Sequence, residues 1–599
     1  MISEPVKNQS LKDEFYLKLN LSGQLRPLIG KPLEKLLFIE QLDYWYNASL
    51  QAAGNNFPEK ILNALNISLK FNAMDLAKIP REGPLVVIAN HPFGGIEGIA
   101  LAAILSHVRS DFKIMANHFL SIFPNLRDYF IFVDPFKTKN SAQSNISNLK
   151  KTIRWLNDGH MLAVFPAGGV SHYNFSQRQV TDPPWQESIE KLIEKVTAPV
   201  IPVFFEGANN LAFQTMGFLH PVLRTFMLPS QLIKKRGSVL TLQVGNLIQP
   251  KKLAEYNDIG QKLAYLRRRT YNLGNRPYDL QQQNVNPKQD LQAIRPAISA
   301  PLLQEEINRL PQWQILAEQN SAMVFYAYAF QIPQLILEIG RQREITFRAV
   351  NEGTGKETDL DVFDEHYIHL VAWDKAAQQI IGCYRLGPTD IILRDFGKKG
   401  LYTHTLFKLK KNFLKSIVPA LEMGRSFITA EYQRSYSSLY LLWRGIGEFI
   451  VRHPHYRYLF GPVSISNDYA TSSQQLMLKF LLRKHGNDRL ASAVLARHST
   501  DKKNKKGSHP VEGFKDINEL DEMISDIEND VSGIPILIKQ YLKLGAEFIA
   551  FNRDPLFMDC LDGLIVVDLL KTNEKILSRY LGAQGTELYK QYHRQHGCG

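Results

Sequence analysis

The chain has 599 residues, 44% hydrophobic and 22% charged, with 33 Phe, 24 Tyr and 6 Trp, enough apolar material for roughly two to four domains of ordinary size. A lone small binding module and wholesale disorder are both excluded. Lys and Arg number 71 against 58 Asp and Glu, a net charge of +13, which favours an anionic partner such as nucleic acid, anionic lipid or an acidic carrier protein.

Residues 1–80 mix helical-looking apolar segments with Gly and Pro breaks and read as a helical lead-in. Residues 1–15 lack the apolar stretch and small-residue cleavage site of a secretory signal. From 81 to 270 short apolar strands alternate with helical stretches, as an α/β layer requires. Strands are expected at 85–89, 161–165, 200–205 and 239–244, and a helix at 146–156. Residues 271–300 are rich in Gln, Asn, Pro and Arg and predict a linker.

A second α/β region occupies 301–580, with helical candidates at 406–418 and 439–451 and strands around 458–460, 546–551 and 564–568. The run Lys502-Lys503-Asn504-Lys505-Lys506 marks an exposed loop, and 581–599 reads as a tail. No internal repeat relates the halves, so the fold class is α/β with two unrelated domains. No 18-residue run is apolar enough to span a bilayer; residues 322–339 come nearest and are interrupted by Gln331, Pro333, Gln334 and Glu338. Cys383, Cys560 and Cys598 have neither disulfide-framework nor zinc-like spacing, which fits a reducing cytosol and no metal.

The 85–89 strand runs into Asn90-His91-Pro92-Phe93-Gly94-Gly95-Ile96-Glu97-Gly98. An imidazole at the end of a buried strand, followed by small residues and a carboxylate, can serve as a general base, with Glu97 fixing its tautomer. His91 then makes a hydroxyl nucleophilic toward a thioester while backbone N–H groups steady the oxyanion; a structural histidine beside a Gly-rich turn is the plain alternative. A second strand-to-glycine turn, Val164-Phe165-Pro166-Ala167-Gly168-Gly169-Val170-Ser171-His172, either brings backbone amides to a phosphate or carboxylate or is a structural turn.

The order and spacing of these blocks, followed by Pro199-Val200-Ile201-Pro202-Val203, resemble the lysophospholipid acyltransferase family typified by glycerol-phosphate acyltransferases, over residues 75–250. The resemblance implies O-acyl transfer at His91 and Glu97, with Phe165, Pro166 and Gly168 at the acceptor site. Three positions depart from the pattern. Glu97 follows His91 after five residues rather than four, Ala167 stands at the usual glutamate, and Asp134 lies where many relatives carry a basic residue. The expected acceptor moves from glycerol 3-phosphate toward another headgroup, such as an acylated amino acid bearing a fatty-chain hydroxyl.

In the second region Arg341, Arg343, Phe347 and Arg348 lead into Asp359, Asp361 and Asp364, then His366 and His369, then Arg385. Carboxylates and histidines can bind a metal, but this run has no established metal spacing. Farther on come Glu422, Arg425 and Arg434. Glu422 and Arg425 share a face if helical and oppose each other if extended, and the residues alone do not choose. An amine acceptor must lose a proton to attack a thioester, so a carboxylate is a suitable base, and basic residues can hold an acidic carrier or donor phosphates.

These segments, from Glu306 through Asp568, resemble the ornithine-lipid N-acyltransferase family, related to acyl-homoserine-lactone synthases and built on a GNAT-like fold. The resemblance implies a catalytic Glu422 near the reacting amine, with Arg343, Phe347, Asp361, Asp364, Arg385, Arg425 and Arg434 around donor or acceptor. The fusion as a whole is similar to bifunctional ornithine lipid synthases. That implies N-acylation of ornithine or a related amino acid by a 3-hydroxyacyl group, then O-acylation of the lyso-lipid hydroxyl.

Acyl carrier protein or acyl-CoA is the implied donor, with no cofactor and no nucleic-acid partner. The implied place is the anionic cytoplasmic face of the bacterial inner membrane, held peripherally. A face of 406–418, Leu406, Phe407, Leu409, Phe413, Leu414, Ile417 and Val418 flanked by Lys408, Lys410, Lys411 and Lys415, is a candidate membrane contact or else a core-facing helix. The alternative functions are a lysophospholipid acyltransferase with an accessory or inactive GNAT-like domain, and a non-catalytic membrane-binding hemolysin-like protein.

Overall fold

The computed structural model describes residues 11, 14, 31–133, 149–176, 178–210, 213–214, 221–277, 291–498, 500, 513–528 and 533–597. Asp134, the 502–506 run and positions 278–290 lie outside the described residues. The chain divides into two compact units, Met1–Tyr278 with Gly507–Gly513, and Asp279–Lys506 with Phe514–Gly599.

The first unit contains β1 (Ser68–Lys70), β2 (Leu85–Ala89), β3 (Phe112–Asn117), β4 (Phe130–Val133), β5 (Met161–Val164), β6 (His172–Asn174), β7 (Gln179–Thr181), β8 (Val200–Phe205) and β9 (Val239–Val244). Seven of them form one sheet in the order β1-β9-β8-β2-β5-β3-β4, and β6 and β7 make a separate hairpin. Within the sheet only β8 and β9 pair antiparallel. β2 is buried along its whole length because helices cover both faces of the sheet. Leu85, Val87 and Ala89 pack with helix Ile96–Leu105, and Val86 and Ile88 with helices Glu187–Val196 and Ile259–Asn272. Every residue of helix Ile96–Leu105 is buried, which is why it is apolar on all sides rather than amphipathic.

This unit reaches beyond residue 270. Helix Ile259–Asn272 continues into a 3-10 turn at Leu273–Asn275, and buried Arg276 returns to buried Asp75, Nη1 to Oδ2 at 2.8 Å. Asp75 and β1, which pairs with β9, both come from the stretch expected as a separate lead-in, so residues 68–80 belong to the sheet unit. Arg276→Ala is expected to cost ~3 kcal/mol, because it leaves a buried carboxylate short of its guanidinium. A lower urea midpoint for the first unit checks it.

The second unit contains β10 (Ile315–Gln319), β11 (Ala322–Tyr328), β12 (Ile368–Asp374), β13 (Gln379–Pro388), β14 (Phe407–Leu409), β15 (Ala420–Ile428), β16 (Tyr458–Ile465), β17 (Val494–Ala496), β18 (Glu547–Asp554) and β19 (Cys560–Asp568). Eight of them form a sheet in the order β10-β11-β12-β13-β15-β16-β19-β18, antiparallel except between β15 and β16. That parallel pair holds only from Ala420↔Tyr458 to Glu422↔Phe460. Beyond it β15 stays with β13 and β16 stays with β19, so the two strands diverge and the sheet opens.

The ends of this unit differ from the expected linker and tail. Gln292 N–H donates to the Gly355 carbonyl at 2.9 Å and Ile298 N–H to Glu338 Oε2 at 3.2 Å, so the C-terminal part of 271–300 is docked on this unit. The 581–599 stretch holds helix Ala583–Gln595, with Tyr589 fully buried in the main core. The membrane-face reading of 406–418 is also corrected. That stretch breaks into helix Thr403–Leu406, β14 and helix Lys411–Ile417, and its Leu406, Phe407, Leu409, Phe413, Leu414 and Ile417 are buried with Phe460 and Val566. Among the described residues no helix is long and apolar enough to cross a membrane.

Candidate active sites

Parallel strands end at the same edge of a sheet, and ligands bind beyond their carboxyl ends. β2 and β5 are neighbours, with Ile88 beside Val164, so the His91 and Phe165 turns meet although they lie far apart in sequence. The Phe165 ring stacks on the His91 imidazole at 4.5 Å between centroids. His91 Nδ1 is 2.7 Å from Glu97 Oε1, so the five-residue spacing does bring acid and base together. Glu97 stands in the first turn of helix Ile96–Leu105 and accepts the N–H groups of Phe93 (2.9 Å), Gly94 (2.8 Å) and Gly95 (3.1 Å). Those bonds curl the glycine turn around its carboxylate, at the helix end where negative charge is favoured. Gly94 has φ +98°, and a Cβ there would lie 2.3 Å from Leu228 Cδ2.

Burial opposes charge on His91, but the Glu97 carboxylate outweighs it with help from Asp182, and the imidazole titrates above its usual value. Burial pushes Glu97 the other way, yet His91 and the surrounding N–H groups bring it down to about 2. The pair therefore holds a charged carboxylate against the imidazole, leaving Nε2 as the nitrogen that can take a proton. In the second turn Pro166 accepts the Gln186 N–H at 2.9 Å. Gly168, at φ +62°, lies where a Cβ would meet the Gln186 side-chain amide at 2.0 Å.

In the second unit the basic and acidic residues form a buried network. From helix Leu335–Arg348, Arg343 grips Asp364 with two bonds of 2.9 Å and contacts Asp359 at 3.1 Å. Arg385 on β13 contacts Asp361 at 2.6 Å and Asp364 at 3.2 Å. Arg425 on β15 reaches Asp359 (3.2 Å), Asp361 (3.6 Å) and the Tyr402 hydroxyl (3.1 Å). Arg385 also lies over the rings of Phe363, Tyr367 and Tyr402, with its guanidinium carbon 5.2–5.8 Å from their centroids. Burial lowers His369 to about 4, so it is neutral, and its Nε2 lies 2.9 Å from the Asp364 carbonyl.

Three arginines thus balance three aspartates. Arg343, Arg385 and Asp364 are sealed in the core rather than open to donor or acceptor, whereas Asp361 keeps an exposed edge. Burial raises the Asp364 carboxyl, but Arg343 and Arg385 overcome it and hold the group well below its ordinary value. Its stabilisation is present above the ordinary carboxylate range and fades as pH falls through it. Asp364→Ala leaves two buried guanidinium groups short of a partner and is expected to cost ~3–5 kcal/mol, read as a lower thermal midpoint of the second unit.

Glu422 and Arg425 lie on a strand yet work on the same side. Arg385 pairs with Gly424 while Cys383 pairs with Phe427, so β15 carries one extra residue, and Arg425 sits in the left-handed region at φ +49°. Glu422 is buried, and its two oxygens accept the Tyr367 hydroxyl and the Thr403 N–H, an arrangement that holds the 402–403 segment and presents no open oxygen to an amine. Phe347 meets Phe557 edge to face at 5.4 Å, and Phe557 lies under Arg425. Arg434 is not in this group: it is exposed, and Tyr432 two residues earlier is tied to Asp374, at the opposite end of β12 from His369.

Beside Arg425 the structure collects carboxylates that the sequence did not single out. Asp562 on β19 accepts Ser464 Oγ of β16 at 2.8 Å; burial, then the neighbouring Asp554, pushes it to about 7. Half-buried Glu352, just past helix Leu335–Arg348, is raised to about 8 by burial and then by Asp562 and Asp468. Arg425 acts on both in the opposite sense. This is where β15 and β16 have parted. No local spacing announces the group, because its members come from 352, 554 and 562.

The family described as Acyltransferase matches residues 27–279, and the Acetyltransferase (GNAT) domain matches 342–444. The glycine N(alpha)-acyltransferase of Phocaeicola vulgatus is 30% identical over 267 residues, 42% of this chain and 81% of that protein. The chain belongs to this N-acyltransferase family. It is an acyltransferase that joins an N-terminal Acyltransferase domain to a C-terminal GNAT domain, both α/β. The glycine N(alpha)-acyltransferase of Bacteroides thetaiotaomicron is 35% identical over 207 residues, 33% of this chain; the chain spans 60% of that relative's length. The lyso-glycine lipid O-acyltransferase of the same organism is 26% identical over 255 residues, 39% of this chain and 88% of that relative.

In the acyltransferase's N-terminal domain one further residue escaped the sequence reading. Asp182 is buried and touches both motif turns, and its only advance sign is the Thr181-Asp182-Pro183-Pro184-Trp185 stretch.

Proposed function

We propose that the chain makes an amino-acid lipid in two acyl transfers. In the first, the α-amine of ornithine, glycine or a related amino acid attacks the thioester carbonyl of a 3-hydroxyacyl donor. The C–N bond forms, the C–S bond breaks and a thiol leaves. In the second, the 3-hydroxyl of the lyso-lipid attacks another acyl thioester, forming an ester and again releasing a thiol. The observation that carries this reading is the coexistence in one chain of the His91–Glu97 pair at a sheet edge and a GNAT sheet whose central strands diverge. Relatives named for N-acyl and for lyso-lipid O-acyl transfer support the pairing.

For the amine step, the proton acceptor is Glu352, with Asp562 behind it to keep its proton affinity high. Glu422 is a positioning residue that fixes Tyr367 and the 402–403 segment. The facing edges of β15 and β16 beyond Glu422 and Phe460 leave backbone groups free to pair with an extended, amide-bearing thioester arm of acyl carrier protein or acyl-CoA. For the hydroxyl step, His91 Nε2 takes the proton and Glu97 steadies the imidazolium. The enzyme works peripherally at an anionic membrane, consistent with its +13 charge.

Expression of the whole chain in a bacterium without amino-acid lipids tests the reading by lipid mass analysis. An acyloxyacyl amino acid is expected, and its mass identifies the headgroup. Absence of any new amino-acid lipid overturns the proposal.

A further inference from the structure

His91 is held from two sides of its own backbone. Its N–H donates to Asp182 Oδ1 at 3.1 Å, and its carbonyl accepts the Ser171 N–H at 2.8 Å. Ser171 Oγ donates to the same Asp182 oxygen at 2.5 Å. These bonds close a ring that joins the His91 turn, the Phe165–Ser171 turn and the residue that follows β7. Asp182 Oδ2 takes the Trp185 indole N–H at 3.1 Å. The Asp182 peptide is itself fixed by helix Ile259–Asn272: its N–H donates to Tyr271 Oη at 2.8 Å, and its carbonyl accepts Arg267 Nη2 at 2.7 Å. Arg267 also holds Thr181 Oγ1 and the Pro183 carbonyl.

We propose that Asp182 is the positioning residue of the O-acyl-transfer centre: it locks the His91 main chain to the second motif turn and keeps a fixed negative charge near the imidazole. A carboxylate suits this place because one oxygen must accept two donors while the other accepts a third, and an ionised acid offers acceptors only. The lock matters because a general base displaced by about 1 Å can lose ~100-fold in rate. Among the described residues, the charged groups around His91 are Glu97 from helix Ile96–Leu105 and Asp182 from the end of β7. Lys235 stands behind Glu97 over the Phe93 ring, and Arg267 behind Asp182.

The inference rests on the proposed role of His91 in O-acylation, and the test separates the two. The full-length chain, its H91A variant, D182N and S171A are assayed for conversion of purified N-(3-hydroxyacyl) amino acid to the diacyl product across pH. N-acylation and thermal unfolding are followed in parallel. D182N is expected to keep N-acylation and folding while losing ~10- to 100-fold in O-acylation kcat. Its acid limb should move to lower pH, because removing a negative charge disfavours the imidazolium. S171A breaks the ring but keeps the charge, so its rate should fall with the acid limb in place.

A D182N chain with wild-type rate, or with an unmoved acid limb, overturns the proposal. If D182N does not fold, S171A decides: an unchanged rate overturns the proposal and a reduced one supports it. O-acylation that survives in H91A instead removes the reading on which the inference depends.

Discussion

His91→Ala should abolish the second acyl transfer and let the lyso-lipid accumulate. General bases contribute ~10²–10⁴ in rate, and the described structure offers no second imidazole beside Phe165 and Glu97. N-acylation should continue at the wild-type rate, because that centre uses residues of the other unit. The pH profile carries the finer test. His91 must be neutral to accept a proton, and the Glu97 carboxylate holds it above its usual value. O-acylation should therefore fall as pH drops through a point above 6.5, the ordinary value for histidine. Glu97→Gln should shift that limb to lower pH and slow the plateau rate. Product masses in lipid extracts and rates from pH 5 to 9 measure both effects, and a fully active H91A chain would remove this centre from the mechanism.

Glu352→Gln carries the second large effect, a loss of ~10²–10⁴ in N-acylation with lyso-lipid O-acylation intact. Glu352 is raised to about 8 and must be ionised to accept a proton, so wild-type N-acylation should rise with pH through that region. Asp562 contributes to the upward shift, so Asp562→Asn should move the limb to lower pH. The contrast with Glu422 is informative. Glu422→Gln can keep an acceptor for the Thr403 N–H but disturbs the bond from Tyr367, and it should reduce rate and stability together without displacing a pH limb near 8. A Glu352→Gln chain that N-acylates normally would return the search for the base to Glu422 or to water.

Much of the fold was legible because apolar runs and periods are local. The runs at 85–89 and 200–205 are strands with the expected ends, since a strand covered on both faces has no polar positions to blur it, and 239–244 is a strand with the expected ends although it carries Thr241 and Gln243 and starts at an exposed Val239. The helix expected at 439–451 spans Tyr436–Arg452 for a similar reason, a long apolar period opened by a Ser435 cap. The 406–418 stretch failed as a single helix. Phe407, Lys408 and Leu409 alternate with period two inside β14, and a new helix begins at Lys411, so one lysine-flanked apolar pattern was shared between two elements of the core. The linker and tail were drawn too generously because composition does not register a buried Arg276 or Tyr589.

The candidate sites divide along the same line. His91, Glu97, Phe165 and Gly168 were accessible because each lies within a few residues of a strand end, where local chemistry and resemblance point to the same turn. Arg343, Asp364 and Arg385 were found, but whether they face a ligand or a core is a question of burial, and the structure places them in the core. Glu352, Asp562 and Asp182 could not be found from spacing at all.

By itself the sequence determined two α/β acyltransferase domains, the strand-end position of His91, and a candidate acid, Glu97, after five intervening residues, because local hydrophobic pattern and short motifs encode these directly. Only the tertiary structure decided that the β15 bulge sets Arg425 on the same side as Glu422, that Glu422 is enclosed, and that the carboxylates of Glu352 and Asp562 come within the field of Arg425. Strand pairing and loop return juxtapose residues hundreds of positions apart, and it is that proximity, through desolvation and charge, that makes one carboxylate a buried support and another a proton acceptor.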